Sequence, residues 1–174
     1  MDKATSWRHK KTLQFLINHC PPPMQILDLG VVNDLSELMS SNGYIVSNTK
    51  GENLDLDQTS VLRTDIELVT AFEIFEHMLA PFNILNAIKA KKMIASVPLK
   101  LWFSDAYWNE NDDRDKHYHE FEVKQFNFLL EKTGWKIINS EKWTPYKKIS
   151  LGIRPLLRMV TNRYYIVYCE KNNY

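Results

Sequence analysis

The chain has 174 residues, of which 44% are hydrophobic and 25% are charged, and its formal net charge at pH 7 is +1. This length and composition indicate one globular domain with a sizeable core and exclude a disordered chain. A net charge so close to zero gives no overall attraction to nucleic acid, so we expect no nucleic acid partner. Two cysteines are too few for a disulfide framework and no 18-residue apolar segment occurs, so we predict a cytoplasmic protein.

The first half of the chain alternates between helical and strand patterns. Apolar residues at helical spacing over 6–19 are followed by prolines, which predicts an N-terminal helix and a proline linker within residues 1–23. The apolar run at 24–30 is short and ends in glycine, so it predicts a buried strand. The same patterns predict a helix and two further strands, at 33–43, 44–49 and 53–57.

The second half continues the alternation. An apolar run that begins at residue 66 predicts a strand that breaks into a charged turn before residue 79. The elements predicted after it are a helix, a strand, a helix and two strands, at 81–91, 92–98, 122–134, 135–143 and 163–171. This order predicts an α/β fold with a doubly wound, mostly parallel sheet in a single domain over residues 1–174. Because one segment alone separates the last two strands, we expect an antiparallel edge hairpin.

Residues 99–120 have no clean periodicity, and a loop of this length inside a compact domain is usually functional or disordered. We predict a lid-like insertion, in which Trp102 and Tyr107 either cover an apolar substrate or bury themselves as the small core of the loop. Either His117 or His119 faces the mouth of an active site, or both anchor the loop to the next helix. A third ligand at motif spacing does not accompany this pair, so we predict no metal site.

Residues 142–163 form a basic amphipathic segment with six lysines and arginines and no acidic residue. Such a segment can make weak contact with anionic lipid headgroups or with a phosphorylated substrate. The alternative is a helix that packs over the sheet edge with its basic face in solvent.

Five motifs occur in a characteristic order along most of the chain. They are ILDLG at 26–30, NLDLD at 53–57, ELVTAFEIFEHM at 67–78, IASVP at 94–98 and HEFEVKQFNFLLEKTGWKI at 119–137. Together they resemble the class I S-adenosylmethionine-dependent methyltransferases, and most of all a small-molecule branch with a glutamate-histidine pair after the strand that begins near residue 67. The resemblance implies a Rossmann-like methyltransferase fold, S-adenosylmethionine as cofactor and S-adenosylhomocysteine as product.

The resemblance also implies a cofactor site outside the carboxyl ends of the strands, where open α/β sheets bind ligands. Asn48 stands where the family has an acid for the ribose hydroxyls, and His77 is our candidate catalytic base because imidazole titrates near neutral pH. Alternatively, Glu76 and His77 only shape their turn. The residues implied to bind the cofactor are Asp28, Gly30, Asn48, Asp55, Asp57, Phe72 and Glu73.

The loop after Gly30 departs from the family pattern. Family members carry further glycines where this chain has Val32 and Asp34, and a valine tolerates positive φ poorly. The loop therefore follows another path, holds the cofactor further out, or does not hold it. We predict methyl transfer to a small molecule or an envelope-type metabolite; the alternative is a non-catalytic protein of this fold that acts as a partner-binding module.

Overall fold

A computed structural model describes residues 2–146 and 152–172, which contain one six-stranded sheet and five α-helices. The strands lie in the order β2-β1-β3-β4-β6-β5. Their bounds are β1 Gln25–Asp28, β2 Ile45–Asn48, β3 Leu68–Phe72, β4 Lys92–Pro98, β5 Trp135–Trp143 and β6 Tyr164–Lys171. The helices are α1 Lys3–His19, α2 Asp34–Ser41, α3 Pro81–Ala87, α4 Val123–Lys132 and α5 Ile153–Val160.

The first four strands are parallel to one another, and β6 runs antiparallel to both β4 and β5. The predicted mostly parallel sheet with an antiparallel edge hairpin is thus confirmed. Strand residues alternate between two cores because successive side chains point to opposite faces. One core joins the sheet to α1 and α2 through Phe15 and Met39, and the other joins it to α3 and α4 through Leu85 and Phe126.

The predicted strand at 53–57 is wrong, because these residues form a turn. The side-chain oxygen of Asn53 accepts a hydrogen bond from the N–H of Asp55, and its carbonyl accepts one from the N–H of Asp57. Asparagine bonds its own neighbouring backbone in this way more readily than it extends a strand. As a consequence, β2 forms one edge of the sheet.

Residues 99–120 leave the sheet and return to it at the same place, since Leu99 pairs with Phe121. A short 3-10 helix, Asp113–Asp115, interrupts the segment. The N–H groups of Tyr118 and His119 donate to the carbonyl of Glu76, which fixes this segment to the 3-10 turn Phe75–His77 that follows β3.

The basic segment is described in part, and its residues 147–151 lie outside the described residues. Helix α5 exposes apolar side chains, since Ile153, Leu156 and Val160 are all more than half exposed. Within the described ranges, no helix combines the length and the apolar character needed to cross a membrane.

Candidate cofactor and substrate site

Two adjoining cavities open at the carboxyl edge of the parallel strands, and Asn33 and Ile74 line both of them. The smaller, with a volume of about 310 Å³, is here named the polar cavity. Its lining includes Arg8, His9, Thr12, Asp28, Phe72 and Glu73. The larger, with a volume of about 530 Å³, is named the wide cavity. Its lining includes Gly30, Val31, Glu52, Asp55, His77 and Tyr118.

Asp28 ends β1 at the floor of the polar cavity and is 3% exposed. Its carboxylate accepts hydrogen bonds from Thr70 Oγ1 at 2.6 Å and from Asn48 Nδ2 at 3.0 Å. Burial raises the pKa of Asp28 to about 6, and the two hydrogen bonds oppose that rise. At neutral pH the side chain is therefore a buried anion that can accept a hydrogen bond from a cationic ligand.

The loop after β1 turns at Gly30, where φ is +122°. The N–H of Gly30 donates to Thr49 Oγ1 at 2.7 Å, and its carbonyl accepts from Asn48 Nδ2 at 3.2 Å. Among the described non-glycine residues, only Glu73 has a positive φ, so Val31 and Val32 keep ordinary backbone conformations. Their side chains are 56% and 66% exposed. The loop thus follows a path that needs no second glycine.

Helix α2 begins directly after this loop because Asn33 caps it. Asn33 Oδ1 accepts from the N–H groups of Leu35 and Ser36, while Ser36 Oγ accepts from the N–H of Asn33. This reciprocal capping box fixes where the loop ends. It also accounts for the polar residues after Val32, at the point where the helix over 33–43 was predicted to begin.

Glu73 lies at the end of β3 with a φ of 57°, a conformation that is strained for a residue with a side chain. Its Oε1 accepts from Ser96 Oγ at 3.0 Å, and its Oε2 lies 3.6 Å from Arg8 Nη1. Burial raises the pKa of Glu73, and the positive charge of Arg8 opposes this. Strain of this kind persists where the surroundings hold a residue in place, often at functional sites.

Glu76, His77 and His117 form a compact cluster beside the wide cavity. One ligand-type atom from each lies within 4.8 Å of the others, and Glu76 Oε1 is 3.8 Å from His77 Nε2. Burial lowers the pKa of His77, and the nearby His117 adds to this effect. Burial raises the pKa of Glu76 well above its usual range, and the charge of Glu73 adds to that rise.

Asp55 and Asp57 bond to the backbone of their own surroundings. The carboxylate of Asp55 accepts hydrogen bonds from the N–H groups of Leu79 and Ala80, the two residues before α3. Asp55 also lines the wide cavity. The exposed Asp57 accepts from the N–H of Thr59, which lowers its pKa.

The predicted lid residues are spread over different surfaces. Trp102 is 76% exposed, and Tyr107 donates its hydroxyl to Asp115 at the edge of another cavity. His119 Nε2 lies 3.3 Å from the carbonyl oxygen of Leu79, outside the cluster. His117 is the lid residue that the fold brings to the other predicted groups.

Several cavity residues were missed by the sequence analysis. Arg8 and Thr12 reach the polar cavity from α1, and Ser96 reaches it from the next strand, β4. The spacing of Arg8 and Thr12 places both on one helix face, but the sequence does not show which element that face approaches. Glu52, four residues after Asn48, lines the wide cavity.

The fold resembles solved methyltransferase structures, although no protein-family model and no curated protein sequence matches the chain. A protein from Listeria monocytogenes assigned as an S-adenosylmethionine-dependent methyltransferase aligns over 97% of this chain and 100% of its own, with 12% identity and a TM-score of 0.65. A methyltransferase from Archaeoglobus fulgidus aligns over 95% and 94%, with 14% identity and a TM-score of 0.63. A chain from a complex of the Haloferax volcanii activator Trm112 with its methyltransferase partner aligns over 98% and 93%, with 13% identity and a TM-score of 0.66. The chain therefore has the Rossmann-like fold of the class I S-adenosylmethionine-dependent methyltransferases.

Proposed function

We propose that this protein transfers a methyl group from S-adenosylmethionine to a small-molecule acceptor. The observation that carries the proposal is the pair of adjoining cavities at the carboxyl ends of β1 and β3, with buried ionisable groups in the smaller one. Open α/β sheets bind their ligands at this edge. The two volumes lie within the range of small-molecule sites.

The residues around the polar cavity fit the charged end of the cofactor. The guanidinium group of Arg8 can bind the carboxylate of the cofactor. Asp28 and Glu73 can accept hydrogen bonds from its ammonium group, and they place negative charge near its sulfonium. The φ of +122° at Gly30 is what makes this turn suit glycine, since an added Cβ would make an ordinary contact, 3.4 Å from Ile74 Cδ1.

The wide cavity fits the nucleoside end. Glu52 can accept hydrogen bonds from ribose hydroxyls, which is the role that the sequence analysis gave to Asn48. Asn48 instead donates hydrogen bonds from its side-chain Nδ2 to the carboxylate of Asp28 and to the carbonyl of Gly30, which stabilises the loop. Apolar side chains that can border a base come from three parts of the chain, namely Val31, Leu54, Ile74, Met78 and Leu79.

S-adenosylmethionine, when bound, supplies an electrophilic methyl group on its sulfonium. The chain contributes alignment of the acceptor with that methyl group, because an in-line displacement depends chiefly on position. His77 Nδ1 lies 3.1 Å from the carbonyl oxygen of Lys116, and an N–H donated there leaves Nε2 with a free lone pair. Since burial lowers its pKa, His77 is neutral at neutral pH and can take a proton from the acceptor.

Calorimetric titration of the purified chain with S-adenosylmethionine and S-adenosylhomocysteine tests this proposal. We expect micromolar binding, weakened at least about tenfold by Glu73→Gln, since charged hydrogen-bond partners are worth more than about 1.4 kcal/mol. The matched control is Asp105→Asn, which removes an exposed carboxylate outside both cavities. Folded protein that releases no heat at millimolar ligand would overturn the proposal.

A second candidate function is a partner-binding module without catalysis. The observation that favours it is the internal pairing of the loop, because Thr49 and Asn48 already bond the N–H and the carbonyl of Gly30. Because these backbone groups are already hydrogen-bonded within the protein, the loop has fewer free N–H groups to donate to a ligand. Absence of cofactor binding together with a stable complex in a pull-down using the full chain would select this candidate.

A further inference from the structure

We infer that Glu76, His77 and His117 form a binding site for one divalent transition-metal ion, such as Zn²⁺ or Mn²⁺. The sequence analysis predicted no metal because His117 and His119 lacked a third ligand. The fold assembles a different set, in which one ligand-type atom from each of the three side chains lies within 4.8 Å of the others. His119 belongs to another surface, against the carbonyl of Leu79.

The first argument is the state of the Glu76 carboxylate. Glu76 is fully buried, and neither of its side-chain oxygens has a hydrogen-bond partner in the described part of the chain. Buried side-chain oxygens are otherwise hydrogen-bonded or bound to a cation, because an unpartnered buried polar group costs free energy. A divalent cation that displaces the proton of Glu76 would supply the missing partner.

The second argument is the orientation of the two imidazoles. His77 Nδ1 lies 3.1 Å from the carbonyl oxygen of Lys116, and His117 Nδ1 lies 3.0 Å from Glu120 Oε1. With an N–H donated to each acceptor, both rings keep the lone pair on Nε2. Metal-binding histidines show this pattern, in which an outer carbonyl or carboxylate holds one nitrogen and the metal takes the other.

The outer contacts themselves are well anchored. Glu120 Oε2 lies 3.4 Å from Arg163 Nη1, which holds the carboxylate that orients His117. The two imidazole rings meet edge to face, with their centroids 4.9 Å apart. The hydrogen bonds at Nδ1 therefore hold the orientation of both imidazole rings before any ion binds.

The donor set selects the kind of ion. Two imidazole nitrogens and one carboxylate suit divalent transition metals better than Mg²⁺ or Ca²⁺, which prefer oxygen ligands alone. Ligand atoms around a tetrahedral zinc lie about 3.3 Å apart at ordinary bond lengths, so the ligand atoms must approach one another by up to about 1.5 Å when an ion binds. Three protein ligands leave at least one coordination position for an outside group, as in catalytic zinc sites.

The consequence for catalysis rests on the proposed function. Of the three ligands, His77 lines the wide cavity, so an ion held by the cluster would bind an acceptor oxygen from the side of that residue. Such an ion would lower the pKa of the acceptor oxygen, whose proton would leave to solvent. The oxygen would then bond to the methyl carbon while the C–S bond breaks and its electron pair stays on sulfur. In that case His77 would act as a metal ligand rather than as the base.

Cobalt titration tests the site without reference to methyl transfer. The full chain is freed of metal with a chelator and titrated with Co²⁺, whose visible d–d absorption reports binding to nitrogen and oxygen ligands. In a second experiment the metal-free chain is dialysed against Zn²⁺, and bound zinc is measured by elemental analysis. We expect one ion per chain, with binding at least about tenfold weaker in Glu76→Gln and in His117→Ala. His119→Ala is the matched control and keeps full binding, because His119 lies outside the cluster.

The outcomes separate this inference from the proposed function. His117 lies in the 99–120 segment rather than in either core, so His117→Ala remains informative if Glu76→Gln fails to fold. The metal site is overturned if the chain binds less than one ion, or if His119→Ala weakens metal binding as much as His117→Ala does. His77 then remains the candidate base. Binding of S-adenosylmethionine by the metal-free protein bears on the proposed function alone.

Discussion

Replacing Asp28 with asparagine should stabilise the protein above about pH 6. Asp28 is 3% exposed, and its pKa rises from 3.8 to about 6 on folding. A group with a raised folded pKa favours folding below its unfolded pKa, and this contribution is lost as pH rises through the folded pKa. Each pKa unit is worth about 1.4 kcal/mol, so the ionised carboxylate costs about 3 kcal/mol near pH 8 and about half as much near pH 5.

Urea unfolding of the wild type and of Asp28→Asn at these two pH values measures the effect. The variant should gain up to about 3 kcal/mol near pH 8, which corresponds to a rise in Tm of roughly 6 to 12 °C for a chain of this size. The exposed Asp105→Asn is the control and should show no such gain. Two results would refute the argument that burial dominates at Asp28. One is a wild type as stable as the variant near pH 8, and the other is a gain in the free energy of unfolding that is the same at both pH values.

Four further substitutions test the loop, the turn and the core. Gly30→Ala should destabilise the chain by about 1–3 kcal/mol because φ there is +122°, whereas Val32→Ser at an exposed position should change stability by less than about 0.5 kcal/mol. Asp55→Ala should cost about 1 kcal/mol, since two backbone N–H groups before α3 lose their acceptor. Phe126→Ala should cost about 3–5 kcal/mol because the ring is fully buried. Urea unfolding at neutral pH measures all four, and equal losses at Gly30 and Val32 would contradict the loop geometry.

Much of the fold was predictable because hydrophobic periodicity depends on local sequence. The run at 24–30 contains β1, and the alternation of strands with helices predicted the parallel sheet and its antiparallel hairpin. The strand at 53–57 was wrong because its alternation of leucine and aspartate resembles a strand, while the side chain of Asn53 bonds the backbone locally. Short segments are decided by such individual contacts rather than by periodicity.

The site was less predictable because its residues come from distant parts of the chain. Asp28, Phe72 and Glu73 end predicted strands, so the sequence placed them at the correct edge of the sheet. Arg8 lies on α1, and the approach of that helix to β3 depends on tertiary packing. The same holds for His117, which meets Glu76 across about forty residues of chain. Local patterns contain no information about such encounters.

The turn at 53–57 has a consequence for how the two cavities respond to ligands. The polar cavity is bounded by β1, β3 and α1, whose backbone hydrogen bonds belong to a cooperative sheet and a long helix. The outer wall of the wide cavity, from Gly51 to Asp55, is held by isolated turn contacts instead. Segments with few cooperative contacts open at low free energy. A ligand would thus meet one rigid half that selects by charge and one adaptable half that can reshape around different ring systems.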